Sequence, residues 1–584
     1  MPKNYQSYSK DELIKELQHL KKQKKYGLVW EEDKHKEDVV ESCKTKLPIL
    51  KEVKGKEIIT DKDKPTNILI EGDNYHALSV LNYTHEKKID VIYIDPPYNT
   101  GAKDWKYNND YVDINNAYRH SKWLSMMANR LRITRRLLKD NGVLICAIDD
   151  NEFYHLGVLL EEVFKGYEIH CITIVHNPRG IQGKNFSYTH EYAYFVFRKD
   201  LKVIGDRKIR DEDIWWSNLR NWGGESLRED ARNCFYPVLI EDDRIVGFGD
   251  VVVPDTHPEK QTIKKGNKYY VYPIDKKGIE RKWRYARQSV EEIKDLLRAK
   301  KTKTGYEIEI GKDFGTVRTV WQDSRYDANE YGTKLVHSLV SGTDFDFPKS
   351  LFNTYDCIAP ILYERKKAIV LDYFAGSGTT GHAVMLLNKE DGGDRQFILC
   401  TNNENKIAEE VCYPRIKNVI KGHRDYPDIT GVASNLKYFR ANEDSFIDAQ
   451  PTDKNKVKLT RQAIEMLCIR EDTFQEVIDT KEFKVFKNNK HHTGIIFDQL
   501  AIQDFKKAIK NIGPIRVDNG KENKNSRKFQ SPASDDSNGV NKFSVYVFSL
   551  GDDTFDEEFE DMKQKVKLSP IPEAILRVYR RIFK

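Results

Sequence analysis

Residues Asp90–Tyr98 read DVIYIDPPY, and this stretch determines how the rest of the chain is interpreted. Residues 91–94 form an apolar run with the length and composition of a buried strand. This strand runs into Asp95-Pro96-Pro97-Tyr98. Asp95 and Tyr98 are therefore expected at the carboxyl end of a buried strand, where open α/β sheets bind their ligands.

Strands and helices alternate around this stretch. Residues 67–70 and 143–148 are further apolar runs of strand length, and helical spacing predicts helices over 77–81 and 123–138. Asn141-Gly142 is the expected C-cap of the second helix. This alternation predicts an α/β fold built on a mostly parallel sheet.

A glycine-rich stretch follows a later strand of the same kind. Residues 368–371 are apolar and run into Asp372–Thr380, which reads DYFAGSGTT. Gly376 and Gly378, one residue apart, allow a tight turn and a close approach to a ligand. Gly381 completes the spacing of a dinucleotide fingerprint, so an NAD-dependent dehydrogenase is one interpretation. The preceding aromatic Phe374 and the threonines at the helix start favour a ligand with amino-acid and nucleoside parts.

Three regions depart from the alternation. Residues 201–320 are mixed and rich in aromatic side chains, with a basic stretch over 264–303, which predicts an inserted domain. Residues beyond 440 form an α+β segment whose Asn-, Ser-, Lys- and Asp-rich part, 518–541, is typical of a flexible loop. At the N-terminus, a capping box at Ser9 predicts a helix over 10–25 with a solvated lysine face.

Composition and simple motif searches exclude several classes of protein, among them secreted and membrane-spanning proteins. The net charge of +6, from 97 basic and 91 acidic residues, is too near balance to indicate a nucleic-acid partner by itself. The eight cysteines show neither a C-x-x-C pair nor zinc-finger spacing, so we expect no metal site and a reducing compartment. The chain has no secretory h-region, no membrane-spanning apolar run and no P-loop. We therefore expect a cytoplasmic protein without an ATPase site.

The residue types at 95–98 suit transfer of a group to an exocyclic amine of a base. The lone pair of such an amine is delocalised into the ring, so the nitrogen needs hydrogen-bond acceptors on its N–H groups before it can attack. The Asp95 carboxylate and the Pro96 carbonyl, held by a rigid prolyl backbone, supply acceptors. Tyr98 offers a ring on which a base flipped out of a duplex can stack. Taken alone, the four residues are equally consistent with a strand-ending turn.

Together the motifs resemble the β group of amino-methyltransferases, and above all the modification (Mod) subunits of type III restriction-modification systems. In that group the catalytic motif precedes the cofactor motif and the target-recognition region lies between them. Besides the two motifs, the segments that carry the resemblance over residues 20–440 are YGLVW at 26–30, IEGDNYHAL at 70–78, HSKWLSMMANRL at 120–131, GVLICAIDDNE at 142–152, THEYAYFVFRK at 189–199 and FDFPKSL at 345–351.

The resemblance implies a Rossmann-like methyltransferase fold, which is a mixed sheet flanked by helices, with an inserted target-recognition domain and a C-terminal α+β region. The expected domains are an N-terminal helical arm (1–60), the catalytic half of the core (61–200), the target-recognition domain (201–320), the cofactor half of the core (321–440) and a C-terminal domain (441–584).

The resemblance also implies residue roles. The catalytic motif comprises Asp95, Pro96, Pro97 and Tyr98. The loop that binds S-adenosylmethionine comprises Asp372, Phe374, Ala375, Gly376, Ser377, Gly378 and Thr379. Phe186 and Tyr188 lie in the segment expected to line the target-base pocket, where they either stack on a base or pack internally.

Three further residues are assigned to the methyl donor. Asp73 matches an acidic position that bonds the donor's adenine, with an ordinary helix N-cap as the alternative. Lys349 matches the segment that closes over the donor's methionine part. Glu404, just beyond the strand at 396–400, is expected at the ribose hydroxyls, with a plain surface position as the alternative.

The expected function is methylation of adenine N6 in double-stranded DNA, with base flipping, in a type III-like restriction-modification system. The resemblance implies a homodimer and a separate Res-type restriction subunit. Cytosine-N4 methylation by the same fold is one alternative, although Asp95 stands where cytosine-N4 enzymes usually have serine. A DNA-recognition subunit without catalysis is another, and the intact motifs argue against it. A dehydrogenase leaves residues 95–98 unexplained.

Overall fold

The structure is a computed structural model that describes residues 8–22, 30, 36–209, 212, 214–345, 348–423, 430–510, 512, 543–551, 553–562 and 566–582. The chain divides into two compact units, one formed by Met1–Val203 with Arg318–Lys584 and the other by Ile204–Val317. Residues 26–29 of the YGLVW segment, Lys24 and Lys25 of the N-terminal lysine run, and the stretch 518–541 lie outside the described residues.

A ten-stranded mixed sheet forms the centre of the first unit. Its strands in chain order are β1 (Lys51–Glu52), β2 (Thr66–Glu71), β3 (Ile89–Ile94), β4 (Leu138–Ile148), β5 (Tyr167–Val175), β6 (His190–Arg198), β7 (Val320–Gln322), β8 (Ile369–Asp372), β9 (Gln396–Thr401) and β10 (Asn435–Arg440). In space they lie in the order β1-β10-β2-β9-β8-β3-β4-β6-β5-β7.

The strands from β10 to β4 all run in the same direction. β6 is antiparallel to both β4 and β5, so β5 points the same way as β4. The parallel strands are covered on both faces, and all six residues of β3 are buried, which explains their continuous apolar sequences. The predicted α/β mixed sheet is confirmed.

Helices cover this sheet, and three of them, α3, α4 and α5, pack on one another in succession. The helices of the described chain are α1 (Lys10–Lys22), α2 (Asp38–Thr45), α3 (Asn74–Thr84), α4 (Arg119–Leu137), α5 (Phe153–Val163), α6 (Leu335–Leu339), α7 (Leu351–Leu362), α8 (Thr379–Asp391), α9 (Tyr413–Lys421), α10 (Asp453–Gln462), α11 (Ile464–Glu471), α12 (Ile502–Lys510) and α13 (Glu573–Ile582). None of these helices is both long and apolar enough to cross a membrane.

The predicted C-cap at Asn141-Gly142 is wrong. Helix α4 ends at Leu137, and Leu138 already pairs with Ile89 as the first residue of β4. The register shifts between Ile89 and Val91, so the extra residues of β4 around Asn141-Gly142 are accommodated within the strand. Asn141-Gly142 thus lies at an irregularity in a strand, because pairing with β3 overrides the preference of these two residues for a turn.

The C-terminal part of the first unit contains a second sheet. Its five strands, in spatial order, are Gln475–Asp479, Phe483–Lys487, His492–Ile496, Phe543–Phe548 and Val566–Ile571. Helices α11 and α13 pack against α3 of the core, and Tyr579 on α13 donates a hydrogen bond of 2.6 Å to the Pro48 carbonyl. This part of the chain therefore buries one face of a core helix.

The second unit, residues 204–317, is built from short antiparallel strands. Arg207–Lys208 pairs with Phe314–Gly315. A three-stranded sheet contains Ser217–Asn218, Gly305–Ile310 and Leu297–Thr302, and a four-stranded sheet contains Arg244–Phe248, Val238–Glu241, Lys268–Val271 and Thr262–Lys265. Its core includes Tyr236 and Trp283, so part of its aromatic content serves packing.

The remaining strands belong to the first unit: Lys46–Leu47 pairs with Ile447–Asp448, Ala102–Tyr107 with Asp110–Asp113, and Ile181–Gln182 with Ser187–Tyr188.

Candidate active site

Four adjacent parallel strands bring the sequence motifs to one edge of the central sheet. Asp73 follows β2, Glu404 follows β9, Asp372 ends β8 and Asp95 follows β3. β8 and β3 are direct neighbours, with Leu371 paired to Ile92. The catalytic and glycine-rich motifs, which are far apart in the sequence, therefore leave the sheet side by side, as the resemblance requires.

Lys349 joins two carboxylates at this edge. Its Nζ lies 3.3 Å from Asp95 Oδ1 and 2.5 Å from Glu191 Oε2, and it also donates a hydrogen bond to the Tyr98 hydroxyl. Asn353 Nδ2 donates to the other oxygen of Glu191 at 2.7 Å. The resemblance assigned Lys349 to the methyl donor, whereas the structure places its ammonium among the residues of the catalytic motif.

Burial and charge compete in this cluster. Burial raises the pKa of Asp95, and the neighbouring Lys349 opposes that rise. Burial would also raise the pKa of Glu191, but the charge of Lys349 outweighs it and holds that pKa below its usual value. The pKa of Lys349 is raised although its burial acts in the opposite direction, because both carboxylates favour the ammonium. Mutual contact thus favours the charged forms of Lys349 and Glu191 and limits the rise in the pKa of Asp95.

Hydrogen bonds with neighbouring side chains fix the backbone after Asp95. Trp123 Nε1 donates to the Pro97 carbonyl at 2.7 Å, so this carbonyl is already engaged. Asn99 is fully buried with a left-handed φ of 57°, accepts a hydrogen bond of 3.0 Å from Trp105 Nε1 and donates one of 2.5 Å to Glu152 Oε1. The two prolines and Tyr98 therefore lie between two anchored positions.

Sequence reasoning missed the cluster around Glu152. This fully buried carboxylate accepts hydrogen bonds from His120 Nδ1 at 2.6 Å and His155 Nδ1 at 2.7 Å, and burial raises the pKa of Glu152 to about 7. Arg119 Nε donates to His120 Nε2 at 3.1 Å, so the ring proton of His120 is on Nδ1, facing Glu152. The ligand atoms of the three residues are near enough to hold a metal ion, lying within 4.8 Å of one another. The E-x-x-H spacing of Glu152 and His155 was the available sequence signal.

The glycine loop is shaped by hydrogen bonds that its own residues make. The buried Asp372 carboxylate accepts from the Phe374 N–H at 2.9 Å and from Thr380 Oγ1 at 2.5 Å, and burial raises the pKa of Asp372 to about 7. Ala375 N–H donates to the Cys400 carbonyl at the end of β9 at 3.0 Å. Gly376 has φ 48°, a backbone conformation that favours glycine. The Asp372 side chain thus stabilises the turn of the glycine loop through hydrogen bonds to residues of that loop.

Ser377 and Thr379 face the interior. Both hydroxyls accept hydrogen bonds of 2.8 Å from Nη1 of the buried Arg415. Gly381 lies where a Cβ would come within 2.9 Å of Ile416 Cδ1 and 3.0 Å of Leu399 Cδ1. Close packing of α8 against β9 and α9 therefore explains this third glycine.

Asp73 and Glu404 keep partly exposed carboxylates beside this loop. Asp73 caps α3 by accepting from Tyr75 N–H at 2.7 Å, as the alternative role anticipated, yet 41% of its side chain remains accessible. Glu404 contacts Lys106 Nζ at 2.6 Å and accepts from the Tyr111 hydroxyl at 3.0 Å. Asn74 Nδ2 donates to the Tyr373 carbonyl at 3.0 Å, which ties the turn after β2 to the glycine loop.

Comparison with known proteins agrees with this architecture. Residues 89–411, more than half of the chain, match the family model for N6/N4 DNA methylases. The type II methyltransferase M.KpnI of Klebsiella pneumoniae is 32% identical over 402 residues, covering 66% of this chain and 90% of that protein. The Mod subunit of the type III enzyme EcoPI from Escherichia phage P1 is 29% identical, covering 61% of each chain.

Two further likenesses are weaker. The StyLTI Mod subunit of Salmonella typhimurium is 28% identical over 64% of this chain and 57% of its own length, so the chain spans about three fifths of these two type III subunits. The structure of the cytosine-N4-specific PvuII DNA methyltransferase aligns with a TM-score of 0.32 at 11% identity over 63% of this chain and 93% of that one, which is too weak to carry an argument. The family match alone is decisive: the chain belongs to the N6/N4 DNA methylase family.

Proposed function

We propose that this DNA methyltransferase transfers the methyl group of S-adenosylmethionine to N6 of adenine in double-stranded DNA. The observation that carries the proposal is the position of Asp95 at the end of β3, directly beside the glycine loop at the end of β8. An amine held by the Asp95 carboxylate would thereby lie next to a donor held by that loop.

The glycine loop and its neighbours fit the methyl donor. A Cβ at Gly376 would meet nothing nearer than Phe345 Cζ at 3.9 Å, so there is room for a ligand to approach the backbone there. The partly exposed carboxylates of Asp73 and Glu404, at the ends of adjacent strands, suit the adenine amine and the ribose hydroxyls. S-adenosylmethionine supplies an activated methyl group on a sulfonium. The protein's task is then to position and activate the amine.

Asp95 and the backbone after it would activate the target. The carboxylate accepts a hydrogen bond from one N–H of the amine, which directs the nitrogen lone pair toward the methyl carbon. The Pro97 carbonyl is engaged by Trp123, so we assign the second acceptor role to the carbonyl of Pro96. Formation of the N–C bond at the expense of the donor's C–S bond would leave a cationic nitrogen, and the Asp95 carboxylate is placed to pass its proton on to solvent. The Tyr98 ring supports the flipped base by stacking.

Two alternative functions predict different outcomes, namely methylation of cytosine N4 and DNA recognition without methyl transfer. Cytosine N4 is also an exocyclic amine, and Asp95 in place of serine favours adenine. A catalytically silent recognition subunit would need neither the contact between Lys349 and Asp95 nor a loop with two left-handed glycines, and this chain has both.

The assembly is part of the proposal. The relatives include a type II methyltransferase matched over 90% of its length and type III Mod subunits matched over about three fifths of theirs. We infer that the protein modifies DNA in a type III-like restriction-modification system, as a homodimer in the cytoplasm with a separate Res-type subunit for cleavage. Co-purification with that subunit and the mass of the complex in solution test this part.

Modification-sensitive sequencing of genomic DNA tests the reaction itself. The wild-type chain and the Asp95→Ala variant are expressed in a host that lacks adenine methylation. We expect N6-methyladenine at one short motif with the wild type and none with the variant. N4-methylcytosine at a motif would establish the cytosine alternative, and unmodified DNA despite tight DNA binding would establish the silent subunit.

A further inference from the structure

A small hairpin projects from the sheet between β5 and β6. Its strands, Ile181–Gln182 and Ser187–Tyr188, are antiparallel, with Ser187 opposite Gln182. At the base, Asn177 N–H donates to the Thr189 carbonyl at 3.1 Å, and at the tip Gly183 N–H donates to the Phe186 carbonyl at 2.9 Å. These bonds make residues 178–189 a defined element with a fixed direction.

The base of this hairpin is built into the active site. β5 runs in the same direction as β4 and β3, so the hairpin leaves the sheet at the same edge as Asp95. Glu191, just after the hairpin, contacts Lys349 Nζ at 2.5 Å and accepts from the Tyr98 hydroxyl at 3.2 Å. Glu191 therefore links the base of the hairpin to Tyr98, the residue on which we propose that a flipped base stacks.

The hairpin exposes large apolar side chains. Phe186 is 77% exposed, Ile181 62% and Tyr188 51%. Most of the Phe186 side chain is therefore open to solvent, whereas Tyr188 is half-buried and lies against Gly183. Apolar side chains grouped on an exposed element typically mark an interaction surface.

The charge of the hairpin indicates the chemistry of its partner. Residues 176–190 contain Arg179 and Lys184 and no aspartate or glutamate. Basic groups flanking exposed aromatic rings suit a partner with flat apolar faces between negatively charged backbones, as bases and phosphates are arranged in duplex DNA.

We propose that the hairpin enters the duplex at the target base pair and that Phe186 stacks in the space that the flipped base leaves. Flipping loses the stacking of the target on both neighbours, and an inserted aromatic side chain restores part of it. Tyr98 then holds the flipped base while Phe186 holds the opened duplex. The proposal rests on the proposed function, since it requires a base to leave the helix.

The test compares Phe186→Ala with the wild type on two duplexes that carry the sequenced motif. In one duplex the target base is paired. In the other it lies opposite an abasic site, so flipping the target breaks no base pair and loses less stacking. We expect kcat/KM of the variant to fall about tenfold on the paired duplex, equivalent to about 1.4 kcal/mol, and to match the wild type opposite the abasic site. Phe186→Trp should restore activity on the paired duplex.

Two controls accompany this comparison. Leu500→Ala removes a side chain that is 85% exposed in the C-terminal part of the first unit, and it should leave kcat/KM unchanged on both duplexes. With 2-aminopurine in place of the target base, the fluorescence increase on binding should be large for the wild type and small for Phe186→Ala.

Wild-type rates for Phe186→Ala on the paired duplex would overturn the proposal, and so would equal losses on both duplexes, which would indicate general DNA contact. The proposed function is judged separately by the wild-type product. If that product were N4-methylcytosine, the adenine assignment would fail, and the same paired and abasic comparison at the cytosine would still decide the role of the hairpin.

Discussion

The Lys349 ammonium lies 3.3 Å from Asp95 Oδ1 and 2.5 Å from Glu191 Oε2, so one positive charge joins a carboxylate just after β3 to one within β6. Burial and the nearby Glu191 raise the pKa of Asp95 while Lys349 opposes that rise, and a protonated acid accepts a hydrogen bond from an amine less strongly than a carboxylate does. We therefore expect Lys349 to favour the ionised form of the proposed catalytic carboxylate, and so to act through Asp95 as a positioning residue.

Replacing Lys349 with methionine should shift the pH dependence of methylation. Loss of the ammonium raises the pKa of Asp95 further, so the ionised form, and with it kcat/KM, is lost at a higher pH than in the wild type. We expect the acidic limb of the profile to move up by about one pH unit, the lower end of the effect of a close opposite charge. Lys349→Arg keeps the charge and should leave the limb near its wild-type position.

Donor affinity separates this role from the one implied by the family resemblance. If Lys349 acts through Asp95, calorimetry should show nearly unchanged binding of S-adenosylmethionine to Lys349→Met. A large loss of donor affinity with an unshifted pH profile would instead place the ammonium at the donor's methionine part.

The glycine loop allows a matched pair of substitutions. Gly376 and Gly392 both have a left-handed backbone, with φ 48° and 67°, and both have room for a Cβ. Gly376→Ala and Gly392→Ala should each cost about 1–2 kcal/mol of unfolding free energy, the strain of an L-residue in this region. Only Gly376→Ala should also weaken binding of S-adenosylmethionine in calorimetry, by about tenfold, because its methyl group occupies the approach of the ligand. Equal donor affinities for both variants would show that the loop does not contact the donor.

Asn99 should matter for turnover more than for donor binding. Asn99→Ala removes a donor to the buried Glu152 and leaves Trp105 Nε1 without its acceptor, so we expect a loss of about 1–3 kcal/mol of stability. We also expect kcat to fall while the donor dissociation constant stays constant, since the backbone of Pro96 and Tyr98 loses its anchor.

The matched control is Asn151→Ala, the same change at an exposed position, which should alter stability by no more than about 0.5 kcal/mol. Wild-type kcat in a destabilised Asn99→Ala protein would limit the Glu152 cluster to a structural role. Stoichiometric zinc in the purified wild type would show that this cluster holds a metal ion.

Much of the fold could be predicted because its signals are local. The strand before Asp95 and the strand before Asp372 are short apolar runs, and each ends at a motif whose backbone cannot continue a strand. Because both motifs follow parallel strands, they are expected at the same edge of the sheet. Asn141-Gly142 failed as a helix end because strand pairing with Ile89, a tertiary effect, decides the structure there.

The contacts inside the site could not be predicted in the same way. Lys349 meets Asp95 and Glu191 only after β6 and the segment before α7 have packed together, and nothing in their local sequences indicates that pairing. The side chains of Ser377 and Thr379 likewise turn inward toward Arg415, although the motif suggested ligand contacts. Exposure of Phe186 is also a property of the folded chain alone.

The most direct test of the central claim is transfer of a labelled methyl group from S-adenosylmethionine to duplex DNA by the wild type and by Asp95→Ala, with donor binding measured on the same samples. The account predicts label in N6-methyladenine for the wild type, a rate at least about a hundredfold lower for Asp95→Ala, and equal donor affinity for both. Methyl transfer by Asp95→Ala at the wild-type rate would contradict it.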